Sequence, residues 1–207
     1  MNVLLLGGSP SAPSTTWRLQ QLVGARLAAL GHRTSVLQVR DLPAQALLRA
    51  DTLDPAILEA VALVRDADAI VVGTPVYKAS FSGVLKVFLD LLPQDGLAGK
   101  LVLPLATGGS QSHMLALDYA LRPVLASLAP RHILPSIYAT SEQLPRDADH
   151  GVVPVPAIAA RIDAGVEQLA HELEAALLRK AAGAPGFLAP ALAPATATAT
   201  ALAPASA

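Results

Sequence analysis

Short apolar runs alternate with helical patterns along roughly the first two thirds of the chain. Val3–Leu6 is a continuous apolar run that ends at Gly7-Gly8. A run of this length closed by glycine is typical of a strand buried on both faces. Further strands are predicted at Thr34–Val39, Ala67–Gly73, Gly99–Ala106 and His132–Ala139.

Apolar residues at helical spacing fill the intervals between these strands. Ser14 is placed to cap the first helix and Gly31 to end it, and Asp54-Pro55 opens a second helix that runs to about Arg65. The remaining predicted helices are Gly83–Leu92, Ser112–Leu128 and Ile158–Lys180. Pro123 lies inside one of them and should distort it.

Five strands that alternate with helices predict an α/β domain with a parallel sheet and right-handed crossovers. This domain is expected to occupy residues 1–182. From Gly183 onwards the chain is a repetition of Ala, Pro and Thr, which cannot build a packed core. Residues 183–207 are therefore predicted to be a disordered tail.

Composition and charge exclude several classes of function. The chain has 15 basic and 16 acidic residues, which argues against a nucleic-acid or membrane-surface protein. It has no cysteine, and its five histidines never stand at a tight ligand spacing, so no metal site is expected. No apolar stretch approaches the ~20 residues that a membrane span needs. A soluble cytoplasmic protein is the expectation.

Three loops rich in glycine, proline or hydroxyl groups each follow a predicted strand: Ser9–Thr16, Thr74–Ser82 and Thr107–Ser110. The carboxyl ends of parallel strands share one edge of a sheet, and such sheets bind ligands there. We therefore expect the three loops to meet at one crevice. This convergence is the main functional signal in the sequence.

The first loop places hydroxyls and backbone N–H groups at a helix N-terminus, where orphan N–H groups and the helix dipole favour an anion. It matches neither the dinucleotide fingerprint nor the Walker loop, so a monophosphate such as that of FMN suits it better. An ordinary cluster of Ser/Thr caps remains the alternative.

The other two loops could contact a flat ligand. Tyr77 and its neighbours would present a side chain and backbone groups, although a plain turn explains them equally well. Gly108-Gly109 would let the backbone approach a ring and offer N–H groups to developing charge, or would simply form a tight turn. Neither a Ser-His-Asp order nor a Gly-x-Ser-x-Gly elbow is present, so hydride transfer by a cofactor fits better than hydrolysis.

Several motifs together resemble NAD(P)H-dependent FMN reductases with the flavodoxin-like fold. The closest resemblance is to the reductase component of two-component alkanesulfonate monooxygenase systems, and it extends from Met1 to about Ile137. The motifs are Gly8-Ser9-Pro10 with Ser14, Thr74–Ala79 with Ser82–Lys86, Leu89–Pro93, Leu103–Gly109 and Asp118–Leu125.

The resemblance implies a three-layer sandwich with a five-stranded parallel sheet in the order 2-1-3-4-5 and helices on both faces. It also implies hydride transfer from NADPH or NADH to FMN and release of FMNH₂ to a flavin-dependent monooxygenase, in sulfonate desulfonation. A homodimer or homotetramer is expected. Tyr119 matches a tyrosine that marks a π-helical bulge at the family's tetramer interface, although core packing is a fair alternative.

The resemblance assigns cofactor-binding roles to three groups of residues and no catalytic side chain. The phosphate would be held by Ser9, Ser14, Thr15 and Thr16. The isoalloxazine ring would be lined by Pro75, Val76, Tyr77 and Lys78 on one side and by Thr107, Gly108, Gly109 and Ser110 on the other. The family often carries arginine where this chain has Ser11 and Thr15, so phosphate binding would rest on N–H and hydroxyl donors.

Other functions remain open at this point. One is a quinone or azo reductase of the same fold that keeps FMN tightly bound. A second is a non-enzymatic flavodoxin-type electron carrier, although such carriers are usually strongly acidic and this chain has a net charge of −1. A third is a paralogue that has lost its flavin.

Overall fold

The computed structural model describes residues 1–147 and 151–182. A seven-stranded sheet forms its centre, and a short two-stranded ladder precedes the last helix. The strands are β1 (Asn2–Gly7), β2 (Arg33–Gln38), β3 (Ala69–Tyr77), β4 (Ser80–Phe81), β5 (Leu101–Gly108), β6 (His132–Ile133), β7 (Ile137–Thr140), β8 (Arg146–Asp147) and β9 (Gly151–Val152). The predicted disordered tail, 183–207, lies outside the described residues, so the domain division stays a prediction.

Helices pack against both faces of the sheet. They are α1 (Thr15–Ala29), α2 (Ala44–Arg49), α3 (Pro55–Asp66), α4 (Gly83–Leu89), α5 (Arg122–Ser127) and α6 (Pro156–Ala181). The caps that the sequence predicts are present. Ser14 caps α1, and Asp54 caps α3 by accepting a hydrogen bond from the Ala56 N–H at 2.9 Å, with Pro55 at the first helical position.

The strand order is β2-β1-β3-β5, and β6 and β7 share the next position beside β5. All of these pairings are parallel, so the predicted order 2-1-3-4-5 is confirmed. The predicted number of strands is wrong, because the sheet has seven rather than five. The predicted fifth strand is divided between β6 and β7 at Leu134–Ser136, where Pro135 has no N–H to give to a ladder.

Alternate residues of the central strands feed two separate cores. Leu4 and Leu6 of β1 belong to the core beneath α2, α3 and α4, whereas Val3 and Leu5 belong to the core beneath α1 and α6. This follows from the period of two along a strand, which sends successive side chains to opposite faces. The result is the predicted three-layer arrangement of helices, sheet and helices.

Two predicted elements differ in the structure. The segment Thr74–Ser82, expected as a loop, is an extension of β3 that turns back through β4 as a short antiparallel hairpin. The expected helix Ser112–Leu128 is broken into a 3₁₀ turn at Gln111–His113, a π-helix at Leu117–Leu121 and the short α5. Pro123 therefore lies in the first turn of α5, directly after the π-helix.

Within the ranges 1–147 and 151–182, no helix is long and apolar enough to cross a bilayer. In the same ranges, no three His, Asp or Glu side chains come together in a way that could hold a metal ion.

Candidate functional site

A cleft of about 270 Å³ opens at the carboxyl edge of the sheet. It brings together the ends of β1, β3, β5 and β7, as expected for the ligand edge of such a sheet. Its lining residues are Ser9, Ser11, Pro13, Ser14, Thr15, Thr16, Pro75, Val76, Tyr77, Thr107, Gly108, Gly109 and Ser141. The three predicted loops therefore do converge. Two of the predicted residues, Lys78 and Ser110, lie outside this lining.

The first loop delivers hydroxyl groups to the N-terminus of α1. The Ser14 Oγ accepts a hydrogen bond from the Trp17 N–H at 3.2 Å, which makes Ser14 the N-cap of a 15-residue helix. The Ser9 Oγ, which is buried, accepts from the Ser11 N–H at 3.3 Å. A hydroxyl that accepts from a backbone N–H still has its own proton to donate. Both serines can therefore donate to an anion at the helix end.

Thr16 and Thr107 connect the first loop to the third. Their Oγ1 atoms are 2.6 Å apart, and both side chains are almost fully buried. Either hydroxyl can be the donor. Since Thr16 is on α1 and Thr107 is on β5, this hydrogen bond connects the helix N-terminus at one end of the cleft to the glycine-containing end.

A buried glutamine fixes α1 on the sheet directly below the cleft. The Gln20 Nε2 donates to the carbonyl oxygens of Leu6 at 2.9 Å and Val71 at 3.0 Å, one in each of two neighbouring strands. Its side chain lies against Gly73, where a Cβ atom would collide with it. The helix N-terminus is thus held rigidly at the edge of β1 and β3.

The hairpin of β3 and β4 forms one wall of the cleft. The Thr74 Oγ1 accepts from the Ser82 N–H at 2.9 Å, and the Ser82 hydroxyl donates to the Gly8 carbonyl. Lys78 and Ala79 form the turn with φ of 49° and 60°, as a two-residue hairpin turn requires. Lys78 is therefore at the outer tip, while Pro75, Val76 and the half-exposed Tyr77 face the cleft.

The opposite wall is formed by the end of β5. Gly108 lies against the Tyr138 ring, and a Cβ atom there would meet the tyrosine hydroxyl. The Tyr138 hydroxyl donates to the Ser110 carbonyl at 2.6 Å, and burial raises the pKa of this phenol. A Cβ at Gly109 would meet only open space. Ser110 therefore anchors the turn through its backbone, and Gly109 leaves the backbone accessible from the cleft.

Sequence reasoning missed three lining residues. Ser11 and Pro13 lie inside the predicted first loop but received no role, and Ser141 follows β7. The position of Ser141 directly after β7 was an available signal, because the parallel strands β1, β3, β5 and β7 all end at this edge. Arg40, whose Nη1 donates to the Ser11 carbonyl at 2.7 Å, gave no signal in the sequence.

The lining residues include no Asp, Glu, Lys, Arg or His. An anion in this cleft would be bound by hydroxyl donors, backbone N–H groups and the dipole of α1. The lining also offers no pair of groups for general acid–base catalysis. These features fit FMN, whose phosphate needs donors and whose flat ring needs an open wall without bulky side chains.

The π-helix Leu117–Leu121 stands next to the β4 hairpin and carries Tyr119. The Tyr119 side chain is 80% exposed, so the alternative of core packing is wrong. Met114 and Leu115, which precede the π-helix, are exposed apolar residues as well.

Comparisons with known proteins agree with this geometry. Residues 1–144 match the family model described as NADPH-dependent FMN reductase. An FMN reductase (NADPH) of Pseudomonas putida is 49% identical over 144 residues, which are 70% of this chain and 73% of that protein. An FMN reductase (NADPH) of Escherichia coli is 40% identical over 167 residues, or 81% of this chain and 87% of that protein.

Among solved structures, the apo form of the NADH:FMN oxidoreductase EmoB is similar to this chain with a TM-score of 0.75 and 40% sequence identity. It covers 83% of this chain and 89% of its own. The fold is therefore flavodoxin-like, and the family model covers every strand that contributes to the cleft. The chain belongs to the NADPH-dependent FMN reductase family, whose members are oxidoreductases that use NAD(P)H and FMN.

Proposed function

We propose that the cleft is the FMN site of this reductase, with the phosphate at the N-terminus of α1 and the ring between the β4 hairpin and the end of β5. The observation that carries the proposal is the convergence of hydroxyls on one helix end. Ser9, Ser14 and Thr16 are buried polar residues that meet at this single helix N-terminus, beside a wall of backbone. Thr15 would add its N–H and hydroxyl from the first helical position.

Bound FMN would supply the ring nitrogen that accepts a hydride from NAD(P)H. The residues of this chain would orient the ring and exclude water from one of its faces. Pro75, Val76 and Tyr77 would contact the ring on the hairpin side, with Lys78 at the entrance. On the other side Thr107, Gly108 and Gly109 would offer N–H groups to negative charge on the reduced ring, with Ser110 fixing their turn.

The proposal includes release of the reduced flavin. The cleft, of about 270 Å³, is at the small end of the ~300–1,000 Å³ that is usual for ligand sites and lies at the open edge of the sheet, so FMN would remain partly exposed. Loose binding suits an enzyme that hands FMNH₂ to a flavin-dependent monooxygenase in the cytoplasm, and sulfonate desulfonation is the process that we propose for this partner.

We also propose that the chain assembles as a homodimer or homotetramer through the apolar side chains around the π-helix. Met114, Leu115 and Tyr119 are exposed together on one short stretch of chain beside the cleft. Such a patch is more typical of an interface than of a free surface.

A substitution at the helix cap tests the FMN site. Ser14→Asp keeps an oxygen that can cap α1, because aspartate caps helices as well as serine does. Its carboxylate would repel a phosphate, so we expect the affinity for FMN to fall at least about tenfold, with much less change for riboflavin. Titration of each flavin's fluorescence into the purified protein measures both affinities.

Ser127→Asp is the matched control, because it adds the same charge at an exposed position of α5. It should leave both affinities at their wild-type values. Equal affinity for FMN in the Ser14→Asp protein and the wild type would refute the phosphate assignment. A flavin that survives dialysis of the wild-type protein would favour the tightly bound quinone or azo reductase instead.

A further inference from the structure

Arg40 lies directly behind the first loop of the cleft. It belongs to the 3₁₀ turn Val39–Asp41, which follows β2 at the carboxyl edge of the sheet. Its Nη1 donates to the carbonyl oxygen of Ser11 at 2.7 Å. Only 18% of its side chain is exposed, so the guanidinium is held in place rather than extended into solvent.

The contact joins a fixed positive charge to a residue that lines the cleft. Ser11 is one of the lining residues, and its carbonyl oxygen is an acceptor that would repel an anion if it faced inwards. The guanidinium takes up this acceptor and brings a full positive charge next to the loop.

This charge complements a cleft that has no cation of its own among its lining residues. The dipole of α1 supplies only about half an elementary charge, and the serine and threonine hydroxyls supply none. A flavin phosphate carries nearly two negative charges at neutral pH. The Asp41 carboxylate is 3.6 Å from the Arg40 Nε and could offset this charge. However, 70% of the Asp41 side chain is exposed, so water screens its negative charge more than it screens the positive charge of Arg40.

We infer that Arg40 is a positioning and specificity-determining residue that makes the cleft prefer a phosphorylated flavin to riboflavin. It acts through the Ser11 carbonyl and through its charge. This inference rests on the proposed FMN site. It goes further by assigning the preference for FMN over riboflavin to a residue in the turn after β2, which does not itself line the cleft.

The test compares flavin affinities in three variants of the full chain. Arg40→Gln removes the charge but keeps a hydrogen-bond donor. Arg40→Lys keeps the charge but loses the planar fork. Arg33→Gln, at the exposed opposite end of β2, makes the same change in net charge far from the cleft. Fluorescence titration gives the dissociation constants of FMN and riboflavin at low and high salt for each protein.

We expect Arg40→Gln to weaken FMN binding about tenfold and riboflavin binding less than about twofold, and to reduce the salt dependence of FMN binding. Arg40→Lys should recover most of this salt dependence, and Arg33→Gln should match the wild type for both flavins. If Arg40→Gln does not fold, Arg40→Met, which also removes the charge and keeps the length of the apolar stem, takes its place in the same comparison of FMN and riboflavin affinity.

Three results would overturn the inference: equal losses for both flavins in Arg40→Gln, an unchanged FMN affinity, or the same loss in Arg33→Gln. Equal losses would indicate simple support of the loop. If the wild-type protein itself binds FMN no more tightly than riboflavin, the proposed phosphate site fails and the inference falls with it. A wild-type preference that persists in Arg40→Gln refutes the role of Arg40 alone.

Discussion

At the scale of single residues, the hydrogen bond between Thr16 and Thr107 directly connects the two ends of the cleft. Their Oγ1 atoms are 2.6 Å apart in a buried environment, and the two residues are 91 positions apart in the chain. A buried hydroxyl that loses its partner costs roughly 1–3 kcal/mol, which is a large part of the stability of a domain this size.

Thr107→Val therefore removes one partner while keeping the volume of the side chain. We expect the free energy of unfolding to fall by about 1–3 kcal/mol, because the Thr16 hydroxyl is left buried without its partner. Thr107→Ser, which keeps the hydroxyl, should lose less. Urea denaturation followed by circular dichroism measures both. A Thr107→Val protein as stable as the wild type would mean that Thr16 finds another partner.

Some residues of the site could be predicted from the sequence, and others could not. Ser14 could be predicted, because an N-cap is a local pattern of a hydroxyl before a helical repeat. Gly108 and Gly109 could be predicted because glycine marks a turn after a strand. Arg40 and Gln20 could not, because their partners lie in distant parts of the chain and the contacts depend on tertiary packing.

At the scale of elements, the segment after β5 departs most from its predicted form. An apolar pattern at helical spacing predicted one continuous helix, but a π-helix at Leu117–Leu121 divides it and leaves Tyr119 exposed. Periodicity alone cannot locate a π-helix, because one extra residue shifts the pattern by less than a full turn. The resemblance of Asp118–Leu125 to a known family did predict it. The division of the fifth strand, by contrast, could have been found from Pro135.

The exposed π-helix gives a prediction about assembly. Tyr119→Arg should shift the protein towards the monomer, because a charge at the centre of an apolar contact is costly to bury. Sedimentation velocity of the two proteins at equal concentration measures the shift. Leu53→Arg is the control, since Leu53 is an equally exposed apolar residue in another part of the surface. A wild-type protein that sediments as a monomer would refute the proposed interface.

At the scale of the whole molecule, the two ends of the parallel strands have different roles. The carboxyl edge holds the cleft, and the opposite edge ties the elements together. There the Lys100 ammonium donates to the carbonyls of Arg65 and Ala67 at 2.7 and 2.8 Å, at the end of α3. Asp68 accepts from the Asn2 N–H at 2.8 Å and pairs with Lys180 near the end of α6 at 3.0 Å.

The pairing of Asp68 makes stability depend on pH. Burial alone would raise the pKa of this carboxyl. The hydrogen bonds from the Asn2 N–H and the Lys180 ammonium, with the positive charges of Lys180 and the chain N-terminus, outweigh burial and lower the pKa. A carboxyl with a lowered pKa stabilises the fold above its unfolded pKa of about 3.9 and loses this effect as the pH falls through the folded value.

Asp68→Asn should therefore lower the free energy of unfolding by about 1 kcal/mol at pH 7. The expected loss is small because the Lys180 side chain is exposed and solvent screens the ion pair. The difference from the wild type should shrink below about pH 4 and vanish at lower pH. Denaturant melts from pH 2 to 7 measure it, with the exposed Asp95→Asn as control. A difference that does not change with pH would contradict this assignment.

The turn at Lys78 and Ala79 has a consequence for how fast the enzyme can exchange its flavin. Thr74 and Ser82 already hold this rim in shape by hydrogen bonds to its own backbone and to Gly8. A wall that is ordered before the ligand binds requires no rearrangement for the ligand to enter or leave. Little ordering entropy therefore opposes either step. If the proposed site binds FMN, flavin exchange along this wall would then be limited by diffusion and affinity.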